Sequence, residues 1–152
     1  MKADKAFLRN KFIEFQLKIA DLNHALAEQK SRFSGKQTHL YLELLDILDA
    51  FEAVEGTLAA KEDTLDKTAR MLGKNIHSIH KKLSRLIQSR GIFRMEFPDG
   101  KARMDLCRVT ETQPRADLEN ETILSIVKSG YIDNETGTVL RKAEVVTVSN
   151  EK

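Results

Sequence analysis

The chain of 152 residues has no tryptophan, two prolines, one cysteine and only 6% aromatic residues. Each scarcity removes a class of protein. With so few rings, a surface that reads nucleic-acid bases by stacking is not expected. The lone Cys107 cannot close an internal disulfide, which fits a reducing compartment. No proline precedes Pro98, so nothing of that kind interrupts a helix in the first two thirds of the chain. A dominant charge is missing too. The 25 basic and 23 acidic side chains leave a formal +2, and both signs are spread along the whole length. No strong field points to nucleic acid or to an anionic membrane, and Lys81-Lys82 with Arg85 reads as a solvated helix flank. The opening stretch MKADKAFLRNKFIEF is broken by charge every few residues, so no signal peptide or spanning helix is expected, and a cytoplasmic location is.

Chemistry-bearing motifs are equally scarce. No glycine loop of the phosphate-cradling kind occurs, Cys107 has no nucleophile signature around it, and the carboxylates follow surface-helix spacing. His77 and His80 lie three apart, close enough to share a helix face. Neither has a carboxylate or cysteine one turn away, so no metal site is expected. No catalytic residue and no cofactor follow from this reading.

What the chain has in abundance is period. Phe12, Ile19, Leu26, Phe33, Leu40, Ile47 and Val54 recur at every seventh position, and Leu8, Phe15 and Leu22 fall between them. That is the alternating four-three spacing of a coiled-coil seam, and these ten residues are the expected dimerisation residues. Without a proline, one helix can run from about Asp4 to about Ala59, roughly 80 Å at about 1.5 Å per residue. Beyond Leu22 the second seam position passes to Gln29, Lys36 and Glu43, while Leu44, Phe51 and Leu58 open a neighbouring stripe beside Leu45 and Leu48. The widened face suits a bundle. Gly35 predicts a kink or break near Ser34 to Lys36.

After the polar segment Lys61 to Asp66, Leu65, Ala69, Leu72, Ile76, Ile79, Leu83 and Leu86 repeat the four-three spacing. Two such helical hairpins from two chains would close a four-helix bundle, so a homodimer is expected. Gly91 ends the second helix. From there the period changes. Ile92 to Phe97 and Arg103 to Thr110 read as one strand pair around Pro98-Asp99-Gly100, and Thr112 to Glu121 as a loop. Ile123 to Val127 and Val139 to Val148 read as a second pair around Asn134-Glu135-Thr136-Gly137. The fold class is therefore α+β in three parts: a coiled-coil helix over 1–38, a helical hairpin over 39–90 and a small β wing over 91–152.

The end of the chain sharpens the reading. ILSIVKSGY over Ile123 to Tyr131, followed by VLRKAEVVTV over Val139 to Val148, resembles the carboxyl end of the GrpE family. There an apolar run, Gly-Tyr, a short turn and an Arg-x-Ala-x-Val-x-Val strand follow in that order. Glu43 to Glu52 is similar to the family's bundle helix, and Arg90-Gly91-Ile92 to its junction with the β lobe. The resemblance implies a cochaperone of Hsp70 (DnaK) in protein folding and the stress response. In the family one β lobe of a dimer wedges against the ATPase domain, so that ADP leaves and ATP enters, and no bond is made or broken. It also implies partner-facing roles for Val127 and Val148, with Arg141 and Tyr131 beside them and Glu52 on the helix.

Each of these residues has a plainer alternative. Val127 and Val148 alternate with polar neighbours as in any half-buried strand, Arg141 can brace the hairpin, Tyr131 can pack, and Glu43, Asp49 and Glu52 can belong to a solvated face. The sequence also departs from the family's pattern. Asp46 stands where proline is usual, Ala53 follows Glu52 where an arginine is usual, and the basic cluster near Asp21 to His24 is missing. Two functions stay open: nucleotide exchange on an Hsp70, and a coiled-coil scaffold or adaptor of the same architecture.

Overall fold

A computed structural model describes residues 2–150 of the chain. They form two α-helices and six strands, and the chain divides into two compact units between Leu40 and Tyr41. The first helix, α1, spans Lys2–Ala60 without interruption. The break expected at Gly35 is absent. A single glycine costs about 1 kcal/mol against alanine, too little to break a helix whose neighbours all keep their backbone donors. In the first unit the seam residues Leu8, Phe12, Phe15, Ile19, Leu22, Leu26, Phe33 and Leu40 are all exposed.

In the second unit α1 continues from Tyr41, and a short 3-10 turn at Glu62–Thr64 leads to α2, Lys67–Gln88. Asp66 caps α2 by accepting a hydrogen bond from the Ala69 N–H at 2.7 Å, satisfying one of the orphan donors of the first turn. Gly91, with φ +79°, follows its end as expected. The apolar period of α2 divides into two rows. Leu65, Ala69, Ile76 and Leu83 are partly buried, whereas Leu72, Ile79 and Leu86 stay exposed, as do Ile47 and Val54 of α1. The hairpin therefore leaves one heptad row uncovered on each helix.

The six strands are β1 Ile92–Arg94, β2 Cys107–Gln113, β3 Ile123–Lys128, β4 Tyr131–Asp133, β5 Thr138–Arg141 and β6 Ala143–Val148. They make two three-stranded sheets, ordered β1-β4-β5 and β2-β6-β3. The hairpin around Asn134 to Gly137 forms as expected, with β4 antiparallel to β5, and β3 lies antiparallel to β6. The other pairing expected does not form. β1 pairs with β4, while β2 pairs in parallel with β6 and extends to Gln113, into the segment read as loop. Alternation tells which face a residue takes but not which strand lies beside it. The run Val139 to Val148 is also divided at Lys142 between the two sheets.

Two apolar clusters result. The first joins Leu45 and Leu48 of α1 and Ile87 of α2 to Ile92 and Tyr131 of the inner sheet, with Leu83 and Leu140 against it. The second holds Cys107, Ala143 and Val145 of the outer sheet, with Phe97, Ala102, Leu106 and Ile123 around them. No helical residue belongs to the second cluster.

Candidate functional site

The two sheets share one long hairpin, and both of its arms change sheet at the same level. One arm crosses at Ser129-Gly130 between β3 and β4, the other at Lys142 between β5 and β6. At the crossing a Cβ on Gly130 would lie 2.6 Å from the Ala143 backbone nitrogen and 2.8 Å from the Met95 sulfur. Only glycine permits that approach. Opposite it, Ala143 is fully buried. The Gly-Tyr and Arg-x-Ala elements of the sequence are thus the two sides of one crossing.

Arg141, the last residue of β5, reaches from this crossing to α1. Its Nη1 and Nη2 donate to the two carboxylate oxygens of Asp49 at 2.7 Å each, and Nη1 also donates to Asp46 at 3.2 Å. Nε and Nη2 donate to the Ser129 carbonyl at 3.1 and 2.9 Å. All five guanidinium N–H groups are therefore used, and a bidentate fork of this kind fixes orientation as well as distance. The guanidinium also lies 5.4 Å from the centroid of the Tyr131 ring, within cation–π range. Beside it, Lys128 Nζ sits 3.0 Å from Asp46 and 3.4 Å from Asp49. The hydrogen bond to Asp46 is the main cause that raises the Lys128 pKa. Glu52, one turn on, accepts from Arg94 Nη1 at 3.0 Å and from the Ser129 hydroxyl at 3.4 Å.

An open groove of about 610 Å³ runs along this contact, lined by Asp46, Asp49, Glu52 and Ala53 of α1 and by Val127, Lys128 and Glu144 of the outer sheet. Val127 is 62% exposed at its margin. Further along the hairpin, the Glu55 carboxylate holds His77 Nδ1 on one oxygen and His80 Nδ1 on the other, both at 3.0 Å. His80 also stacks on Phe51, with ring centroids 6.0 Å apart. The carboxylate partner missing from the histidines' own helix comes from the facing one. Among the described residues, no group of three or more His, Cys, Asp or Glu side chains is disposed to hold a metal.

The model of the GrpE family matches residues 2–149, nearly the whole chain. The chain belongs to the GrpE family. GrpE proteins are cochaperones that serve nucleotide exchange on Hsp70, not enzymes. No curated relative matches this GrpE chain. Among its described residues no helix is long and apolar enough to cross a membrane.

The structure distributes the five expected partner-facing residues of this GrpE chain unevenly. Val127 alone presents an apolar side chain to solvent. Val148 is 2% exposed. It ends the central strand of the outer sheet, and its backbone pairs with Thr122 and Glu121. Tyr131 is buried in the first apolar cluster, and the Arg141 fork is turned inward upon Asp49. Glu52 faces the groove while bound to Arg94 and Ser129. Sequence reasoning missed the part played by Asp46 and Asp49. Asp46, Asp49 and Glu52, spaced three apart, put their carboxylates along one side of α1, where Arg141 and Lys128 meet the first two and Arg94 the third.

Burial raises the Tyr131 pKa, and the nearby Glu52 charge adds to the shift. The sign follows directly. With the folded value above the ordinary tyrosine value of about 10, the neutral phenol stabilises the fold fully below pH 10, and that stabilisation is lost as pH rises towards the folded value. The chain has two tyrosines and no tryptophan, so absorbance at 295 nm reads their ionisation cleanly. A late-ionising phenol is expected, and Tyr131→Phe is expected to remove that late step.

Proposed function

We propose that this GrpE-family protein is a homodimeric nucleotide exchange factor that binds the ATPase domain of an Hsp70 in the cytoplasm and promotes ADP release. The observation that carries the reading is the wing itself: a hairpin locked to α1 by Arg141, with Val127 standing exposed beside a groove walled by the helix. An exchange factor acts by binding the open form of its partner better than the closed form, and the acceleration cannot exceed that difference in affinity. A thousandfold faster release needs roughly 4 kcal/mol of differential binding, within reach of a modest interface with a few buried anchors. Val127 is the apolar anchor that such an interface would bury.

Dimerisation is part of the proposal. It rests on the exposed seam of the first unit and on the two uncovered heptad rows of the hairpin, each of which calls for a partner helix.

A scaffold or adaptor role is the second reading. It draws support from the groove, where Ala53 stands in place of the family's arginine and where Asp46 is already paired with Lys128 and Arg141. Stopped-flow release of a fluorescent ADP from the Hsp70 of the same organism separates the two. Exchange predicts accelerated release, with Val127→Asp requiring about tenfold or more protein for half-maximal effect and leaving the fold unchanged by circular dichroism. Release at the intrinsic rate, from any Hsp70 of that organism, would move the function to scaffolding.

A further inference from the structure

The outer sheet carries Val127, yet its apolar cluster contains no helical residue, whereas the inner sheet shares a core with both helices. The side chains that tie α1 to the crossing, at the end of β5 in the inner sheet and at the end of β3 in the outer one, are polar. Arg141 forks onto Asp49 and touches Asp46, Lys128 bridges the same two carboxylates, and the Ser129 hydroxyl meets Glu52. All of them act at the point where the hairpin arms change sheet. An apolar contact is non-directional and lets two surfaces slide, whereas a bidentate ion pair fixes an angle.

We infer that Asp49 is a positioning residue: its hold on Arg141 sets the orientation of the outer sheet against α1, and that stiffness determines how far nucleotide release is accelerated. The inference rests on the exchange reading proposed above. Its logic is the logic of differential binding. A rigid wing can touch its partner fully only when the partner is open, so closure of the partner costs contacts. A wing free to tilt follows the partner into the closed form, keeps its contacts in both states and shifts nothing, however tightly it binds. Loosening the clamp therefore separates affinity from acceleration. Removing a partner contact such as Val127 does the opposite.

The test is Asp49→Asn, nearly isosteric but uncharged, in the full chain. Affinity for the ADP-bound ATPase domain is measured by calorimetry, and the maximal rate of ADP release at saturating cochaperone by stopped flow. Affinity is expected to stay within about threefold, with the maximal acceleration falling about tenfold or more. Arg141→Lys keeps the charge but loses the fork and is expected to fall between the variant and the native protein. A weakened affinity with the maximal rate kept would make Asp49 a direct contact and overturn the inference, as would no change in either.

A second readout stands apart from activity. Spin labels at Thr57→Cys on α1 and Ser125→Cys on β3, with Cys107→Ser, report the distance between helix and outer sheet. Asp49→Asn is expected to broaden that distribution. A distribution as narrow as the native one overturns the clamp. If the native protein accelerates no Hsp70 while the distribution still broadens, the exchange reading fails and the clamp survives it.

Discussion

Gly130→Ala is expected to lower the stability of the unit that begins at Tyr41 by about 3 kcal/mol, at or beyond the upper end of ordinary overpacking costs. The added carbon would stand 2.6 Å from the Ala143 nitrogen. The Met95 sulfur, at 2.8 Å, belongs to a flexible side chain and can move aside. The nitrogen cannot do so cheaply, because its N–H donates to the Leu106 carbonyl at 3.0 Å and the adjoining β6 is paired on both edges. With total stabilities of roughly 5–15 kcal/mol for a domain, such a loss moves the urea midpoint far enough to read without ambiguity. A control separates this mechanism from simple crowding of methyl groups. Ala143→Gly removes the Cβ that Gly130→Ala would meet at 3.0 Å but leaves the nitrogen in place, so the double variant should recover little. A native midpoint for Gly130→Ala would show that the crossing is looser than these distances require.

The same crossing marks the limit of what the amino-acid sequence makes legible. The helices were readable because a period of seven needs no knowledge of any distant residue: Leu8 to Val54 and Leu65 to Leu86 carry it alone. Strand positions after Gly91 were readable for the same reason, and so was the tight hairpin at Asn134 to Gly137. Partnership was not. β2 pairs in parallel with β6 across the whole of β3, β4 and β5, and nothing local in Cys107 to Gln113 announces it. Val145, Val146, Thr147 and Val148 are four consecutive buried residues, so the half-buried alternation read for Val148 does not apply. A central strand covered on both faces reads as a continuous apolar run, and Val-Val-Thr-Val was that signal.

The candidate site divides along the same line. Gly130, Tyr131, Arg141 and Ala143 stood out by resemblance, and the structure supplies their reasons: a close approach, a buried ring, a fork and a methyl-sized gap. Asp49 reads as a solvated-face charge, and Asp46 only as a departure from the family's proline, because the Arg141 that binds both lies more than ninety residues away in the chain. Glu55 escaped notice likewise, since its histidines belong to the facing helix. In each case a pair of opposite polar groups is ordinary in isolation and specific only once the fold has brought it together.

Ile19→Glu combined with Leu26→Glu is expected to convert a dimer into a monomer. Both residues lie on the heptad row that, with Leu8, Phe15 and Leu22, forms the seam, and every one of the ten seam residues is between 42% and 69% exposed in the single chain. Among the described residues nothing covers this row, and in the proposed homodimer a second copy would. In a dimer each substitution occurs twice, and each buried carboxylate costs at least the roughly 1–3 kcal/mol of a neutral polar group left without a partner. At about 1.4 kcal/mol per decade, the combined cost corresponds to a rise in dissociation constant of roughly a thousandfold or more. Sedimentation velocity across a hundredfold range of concentration reads this directly. The far-UV signal at 222 nm supplies an independent check, because a helix that buries no face must rely on intrinsic propensity alone. The first unit should therefore lose helicity in the variant and, more gradually, on dilution of the native protein. A native chain that stays monomeric at tens of micromolar with full helicity would refute the paired seam. A variant that stays dimeric while losing helicity before Leu40 would place the interface on the helical hairpin, on Ile47 and Val54 at the end of the same row with Leu72, Ile79 and Leu86 of α2.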